Sequence, residues 1–186
     1  MVLSMDRWVG KVAIVTGASS GIGAAIAEQL LVWQEEKDRL DQLAKKLSGK
    51  KGKLFPVKTD LTKEEDILNA FKWTKENLGP IHILINNAGY AETGYITDGD
   101  TELWNKIFQL NVIGLSIATR EAVKDMKANN VDGHIIHINS LAGHRVVNFR
   151  ASVYQASKFS VTALAETLRL ELNSLKLKIK ITVILD

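Results

Sequence analysis

Tyr154 and Lys158 stand four apart in "YQASK", a spacing that puts both on one face of a helix. An ammonium beside a phenol favours the phenolate, the form a general base must reach before it accepts a proton. Ser140 ends "INS", fourteen residues earlier and directly after an apolar run. From there its hydroxyl could hold a substrate oxygen while Tyr154 donates or removes the proton. A second group, "TGASSGIG" (Thr16 to Gly23), follows another apolar run. Gly17 permits a tight turn, Gly21 lets backbone approach a pyrophosphate, and Gly23 lets helix and sheet pack closely. The free amides of the helix that follows would face the anion, and Ser19 and Ser20 add hydroxyl donors. No Lys-Ser/Thr pair directly follows Gly23, which argues against a P-loop. Singly, each of these features also occurs as an ordinary turn, strand end or helix face; their combination points to chemistry on a nucleotide.

The elements between them supply the frame. "KVAIVTG" (Lys11 to Gly17) reads as a strand buried on both faces. "IHILIN" (Ile81 to Asn86), "GHIIHIN" (Gly133 to Asn139) and "LKIKITVIL" (Leu177 to Leu185) read as further strands, the last an exposed edge strand that Lys178 and Lys180 protect in part. "KLFPVKTD" (Lys53 to Asp60) is a further strand candidate, weakened by Pro56 or placed near an edge. Thr62 and Glu65 have capping-box spacing, which starts a helix running to about Asn77. Asp100 or Thr101 caps a long helix with Leu103, Ile107, Leu110, Ile113 or Gly114, and Ile117 on its apolar face. Residues 152–174 form another helix, with Phe159, Leu164, Leu168 and Leu172 apolar. Strands alternating with helices of this length predict an α/β fold with a mostly parallel sheet and helices on both faces. In such sheets ligands bind at the carboxyl ends of the strands, where the motifs fall.

The bulk properties narrow the classes. A chain of 186 residues with 46% hydrophobic and 24% charged residues reads as a single globular domain. The net charge of +3 argues for no polyanionic partner, and the basic run "KKLSGKKGK" reads as a solvated helix end and loop. The tryptophans lack the basic interleaving of a nucleic-acid platform. Without cysteine there are no disulfides, thiol nucleophiles or thiolate metal sites. His82, His134, His137 and His144 lack metal-like spacing with carboxylates and read as structural or surface groups, so no metal is expected. No apolar run reaches the ~18 residues of a membrane span, and no leader is recognisable; the expectation is a cytoplasmic protein.

Taken in order, "TGASSGIG", "NNAG" (Asn86 to Gly89), "LNVIG" (Leu110 to Gly114), "INS" and "YQASK" resemble the short-chain dehydrogenase/reductase family. The resemblance runs over about residues 8 to 184 apart from one stretch after the glycine turn. "DRWVGKVAIVTGASSGIG" and "HINSLAGHR" further resemble one branch of that family. The resemblance implies a Rossmann-like doubly wound sheet and hydride transfer between a nicotinamide cofactor and a small-molecule alcohol or carbonyl. The cofactor is NADP or NAD, with NADP slightly favoured by the branch. Tyr154 would be the acid/base and Lys158 would favour its phenolate while holding ribose hydroxyls. Ser140 would orient the substrate, and Asn111 would keep a water-linked proton path beside Lys158. Thr16, Gly17, Ser19, Ser20, Gly21, Ile22 and Gly23 would form the phosphate turn. Asn87, Ala88 and Gly89 would border the adenosine, and Asp60 with Leu61 would meet the adenine. The residues alone also allow simpler roles: Asp60 beginning a turn, Asn111 bonding a backbone carbonyl, and Asn86 and Asn87 forming a turn. The helices 101–128 and 152–174 resemble the family's usual oligomer faces.

Two stretches depart from the family pattern. After Gly23, "AAIAEQLLVWQEEKDRLDQLAKKLS" (residues 24–48) contains neither Gly nor Pro, where the family has a turn and a second strand. Leu30 to Trp33 would form a stunted strand, or Gly23 to Ser48 one helix of about 26 residues, roughly 39 Å long. Asp38 and Asp41 lie about twenty residues after the turn, as a ribose-binding acid would, but within an unbroken helical pattern. They are not assigned to cofactor, and NAD versus NADP stays open. The family's last substrate loop, helix and strand also have no counterpart after "ITVILD", so the chain reads as C-terminally truncated. The alternative to an enzyme is therefore a non-catalytic remnant that binds cofactor weakly or pairs with a full-length relative.

Overall fold

The structure, a computed structural model, describes residues 8–30 and 53–186. Four apolar runs become strands: β1 (Val12–Val15), β2 (Ile81–Asn86), β3 (His134–Asn139) and β4 (Lys180–Leu185). They pair in parallel in the order β1-β2-β3-β4, with Ile14 opposite Leu84, Ile85 opposite Ile136 and Ile136 opposite Thr182. Parallel neighbours need crossover connections, and helices provide them. They are α1 (Gly21–Leu30), α2 (Glu64–Leu78), α3 (Thr101–Phe108), α4 (Leu115–Ala128) and α5 (Ser152–Ser174). Ile81, Ile83, Leu84 and Ile85 of β2 are all buried, as expected of a strand covered on both faces. Around them Ile14, Ile67, Phe71, Ala118, Met126, Ile135 and Leu172 complete one core. The architecture is an abridged Rossmann-like α/β fold.

Local chemistry sets the helix ends. The Asp100 carboxylate accepts from the Glu102 N–H at 3.0 Å, the predicted cap of α3. The capping box expected at Thr62 is absent. Its hydroxyl and N–H both donate to the Asp60 carboxylate, at 2.6 and 3.0 Å, and α2 begins only at Glu64. An Asx turn has won the hydroxyl that the cap would have used. The strand predicted over Lys53 to Asp60 is likewise not formed; these residues join no ladder among the described residues. Pro56 lacks an N–H to give to one, and Phe55 and Val57 instead pack against the core as irregular chain.

Between α3 and α4 the chain makes a π-helical turn (Gln109–Gly114). This turn decides which residue faces inward: Ile113 is exposed and Gly114 buried. On α5 the inward stripe is Val161, Ala165 and Leu172, with Leu168 partly buried against the core; Phe159, predicted to share the apolar face, points out. The contest between a stunted second strand and one long helix falls on residues 31–52, outside the described residues, as do Asp38 and Asp41. No helix among the described residues is long and apolar enough to cross a membrane.

Candidate cofactor and catalytic site

The glycine turn is locked onto the end of β2. Thr16 N–H donates to Ile85 O at 2.9 Å, and the Thr16 hydroxyl accepts from the backbone N–H groups of Asn87 (3.0 Å) and Ala88 (3.1 Å). The Asn87 side-chain amide donates to Thr16 O and Gly17 O, each at 3.0 Å. Gly17 has φ +63°, and a Cβ there would lie 2.6 Å from Ala88 Cα. A Cβ at Gly23 would lie 2.3 Å from Gly17 O and 2.4 Å from Asn87 Nδ2. Only glycine fits either place. Gly21 has φ +57° and nothing within 4 Å of its would-be Cβ, so bare backbone at the start of α1 faces open space. Ser20 and Ile22 are exposed beside it and Ser19 half-buried. A helix N-terminus with accessible N–H groups and two hydroxyls suits a phosphate.

At the carboxyl end of β3 the catalytic candidates converge. Ser140 precedes a 3-10 turn (Leu141–Gly143), whose Ala142 N–H donates to the Ser140 hydroxyl at 3.2 Å. That hydroxyl donates to Asp186 O at 3.3 Å. The turn lies tight on α5: a Cβ at Gly143 would approach Lys158 O to 2.6 Å. Thr162 of α5 donates to Gly143 O at 2.9 Å and accepts from Asn139 at 2.9 Å. Lys158, 7% exposed, donates from Nζ to Ile138 O at 3.0 Å and stands 5.8 Å from the Tyr154 ring centroid. Burial pushes the Lys158 pKa down, and the charge of Asp186 partly offsets this. Tyr154 and Lys158 thus share a helix face, as their spacing required.

Asn111 sits in the π-helical turn, a feature often found at functional sites. Its side chain clasps Tyr90, accepting from Tyr90 N–H at 2.8 Å and donating to Tyr90 O at 2.9 Å and Ser157 Oγ at 3.0 Å. A Cβ at Gly89 would lie 3.6 Å from Asn111 Oδ1 and 3.9 Å from Lys158 Nζ, so Gly89, Asn111 and Lys158 meet at one point. Asp60 and Leu61 stand apart from that cluster. Asp60 is engaged by Thr62 and lies 3.4 Å from Lys63, and the Thr62 hydroxyl and N–H, with Lys63, hold its carboxyl below the usual range. Leu61 is buried beneath the turn at Gly114. Ser157 and Thr162 were missed in the sequence, where small polar residues on the inner face of "YQASKFSVT" were the available signal; Asn139 was read only as part of "INS".

The histidines are structural or exposed. His137 is 1% exposed with Nδ1 3.1 Å from Asn86 Nδ2, His134 pairs with Thr182 Oγ1 at 2.8 Å, and His82 accepts from Val12 N–H. No group of three or more acidic or histidine side chains among the described residues is placed to hold a metal.

A parallel sheet whose first strand runs through a glycine turn into a helix is the frame of a dinucleotide-binding α/β protein. A family model described as short chain dehydrogenase matches residues 11–185, and the chain belongs to that family. It is 42% identical to the farnesol dehydrogenase of Aedes aegypti over 188 aligned positions, covering 96% of this chain and 77% of the relative. It is 44% identical to dehydrogenase/reductase SDR family member 11 of Homo sapiens over 192 positions, covering 97% of this chain and 74% of the relative. These two relatives belong to the branch whose motifs the sequence resembles. Among solved structures, a short chain dehydrogenase/reductase from Burkholderia phymatum in complex with NAD superposes with TM-score 0.88 at 28% identity. The match covers 94% of this chain, which spans 64% of that one. A short chain dehydrogenase from Burkholderia cenocepacia in complex with NADP gives TM-score 0.85 at 25% identity, covering 95% and 73%. The neighbours thus support a nicotinamide cofactor of either kind.

Proposed function

We propose that the chain is an NAD(P)-dependent oxidoreductase acting on a secondary or allylic alcohol or the matching carbonyl compound. The observation that carries this reading is the meeting of the Ser140 turn, Lys158 and Gly89 at the carboxyl ends of β2 and β3, the edge that also holds the glycine turn. When bound, the nicotinamide accepts or supplies the hydride. The residues do the rest. Backbone amides from Gly21 onward hold the pyrophosphate, Lys158 holds ribose hydroxyls beside Tyr154, and Tyr154 takes the alcohol proton as the C–H hydride leaves. Ser140 holds the substrate oxygen, which requires its hydroxyl to turn away from Asp186 O. Asn111, whose side chain fixes Tyr90, keeps a proton path open beside Lys158.

That same contact of Ser140 favours a second reading, a chain that binds nucleotide without turnover. A thermal melt with and without millimolar NADPH and NADH tests the first requirement, since a ligand of the folded state stabilises by RT ln(1 + [L]/Kd). One nucleotide is expected to raise Tm. The Tyr154→Phe variant should keep that shift while losing turnover by about 10²-fold or more. Absence of any shift overturns the nucleotide reading, and a shift without turnover in the wild type selects the second one.

The outward face of α5 supports pairing between copies, for Phe159 and Leu170 stand three turns apart, 41% and 70% exposed. Light scattering should find a dimer or tetramer, and Leu170→Glu should shift it toward monomer; a wild-type monomer at micromolar concentration would sink the idea.

A further inference from the structure

An apolar rim lies next to Tyr154 in the chain. Val146 and Phe149 are 73% and 74% exposed, and on a neighbouring loop Ile96 is 70% exposed. The Tyr95 and Phe149 rings are 6.0 Å apart. The two loops are stitched together: Gly94 N–H donates to Arg150 O at 2.6 Å, and the Ser152 hydroxyl donates to Gly94 O at 3.2 Å. Large apolar side chains gathered in this way mark a binding surface more often than scattered ones do.

One buried side chain fixes this surface relative to the catalytic helix. Gln155, only 4% exposed, follows Tyr154 on α5. Its Oε1 accepts from the N–H of Val147 at 2.6 Å and of Asn148 at 3.1 Å, and its Nε2 donates to Asn148 O at 2.8 Å. The amide orientation is dictated, since two donors face Oε1 and an acceptor faces Nε2. Buried glutamine is uncommon, and here every polar bond it makes is to one loop. A surface residue at this position would leave that loop free to move while Tyr154 stayed in place.

We propose that Gln155 is a positioning residue: it holds the 146–150 loop on the catalytic helix so that the apolar rim receives the apolar part of a substrate whose oxygen lies at Tyr154. This rests on the reading of Tyr154 as the proton-transfer group. The role predicts a division between binding and chemistry. A substrate long enough to reach the rim feels the loss of Gln155, and a short one does not.

The test compares wild type with Gln155→Met, which keeps length and removes all three bonds, and Gln155→Glu, which keeps the acceptor and removes the Nε2 donor. KM and kcat are measured for 2-decanol and 2-propanol with whichever nucleotide raises Tm, and amide hydrogen exchange is followed at Val147 and Asn148. In Gln155→Met, exchange at both amides should quicken by about tenfold, the scale of one lost hydrogen bond. KM for 2-decanol should rise by a similar factor, with kcat for either alcohol and KM for 2-propanol within about twofold. Gln155→Glu should restore slow exchange in part and KM with it, and it decides the matter should the Met variant not fold. Unchanged exchange, or an equal fall in kcat for both alcohols, overturns the proposal. If wild type oxidises neither alcohol, the reading of Tyr154 fails separately. The loop role then stands only if 2-decanol slows exchange over residues 146–150 in wild type and not in Gln155→Met.

Discussion

Asn87 spends its side-chain N–H groups on the glycine turn, donating to Thr16 O and Gly17 O. The sequence offered "NNAG" as a turn or as part of an adenosine border, and could not tell which carbonyls its amide would reach, because they lie about seventy residues away. Replacing Asn87 by Ala leaves two carbonyls without this donor and removes one of the ties between the phosphate turn and the end of β2, those through Thr16 remaining. We expect a loss of about 1–3 kcal/mol in urea unfolding, the usual scale for unpaired buried groups. A smaller nucleotide-induced rise in Tm should accompany it; a variant of unchanged stability would mean that Gly17 and Gly23 hold the turn alone. The glycines were legible because their requirement is local backbone geometry and close approach. Lys158 was legible as a helix-face neighbour of Tyr154, whereas its bond to Ile138 O needed the folded sheet.

At the scale of elements, spacing gave α5 its full range and β2 its full range, because period and burial agree there. It failed over Lys53 to Asp60, where apolar residues serve the core without a ladder partner, and at Thr62, where a local turn competes for the capping hydroxyl. The helical pattern from Thr101 onward left Ile113 and Gly114 as equal candidates; the π-helical turn chose Gly114. A Cβ there would lie 2.3 Å from Leu61 O. Gly114→Ala should therefore destabilise by about 1–3 kcal/mol through overpacking, against the gain of about 1 kcal/mol that helix propensity alone gives. The urea midpoint should fall with m unchanged. A rise in the midpoint would show that the backbone at Leu61 yields easily.

Among the described residues, the buried His137 ring contributes a pH dependence to the stability of the whole fold. Burial, aided by the charge of Lys158, pushes the His137 pKa from 6.5 down to about 4. Between these values the unfolded chain binds a proton at His137 that the folded chain does not, so stability falls as pH drops from about 6.5 toward 4. The loss from this group approaches about 3 kcal/mol and stops growing below its folded pKa. Asp60 acts in a lower window: its depressed pKa adds stability above the unfolded value of 3.8, lost as pH falls through its folded value. Urea unfolding at about pH 7, 5.5 and 4.5 should show the decline, and His137→Gln should flatten it. An equal slope in both proteins would place the proton uptake elsewhere.

By itself the sequence determined the α/β class, three of the strands nearly to the residue, the glycine turn and the Tyr154–Lys158 face, because each depends on short-range periodicity or backbone freedom. Only the tertiary structure decided that Asn87 braces the turn, that Gly114 faces inward and that Gln155 grips the loop after Gly143. Those outcomes depend on which hydrogen-bond partner lies nearest once distant segments are packed together, and that is a property of the folded chain rather than of any stretch of it.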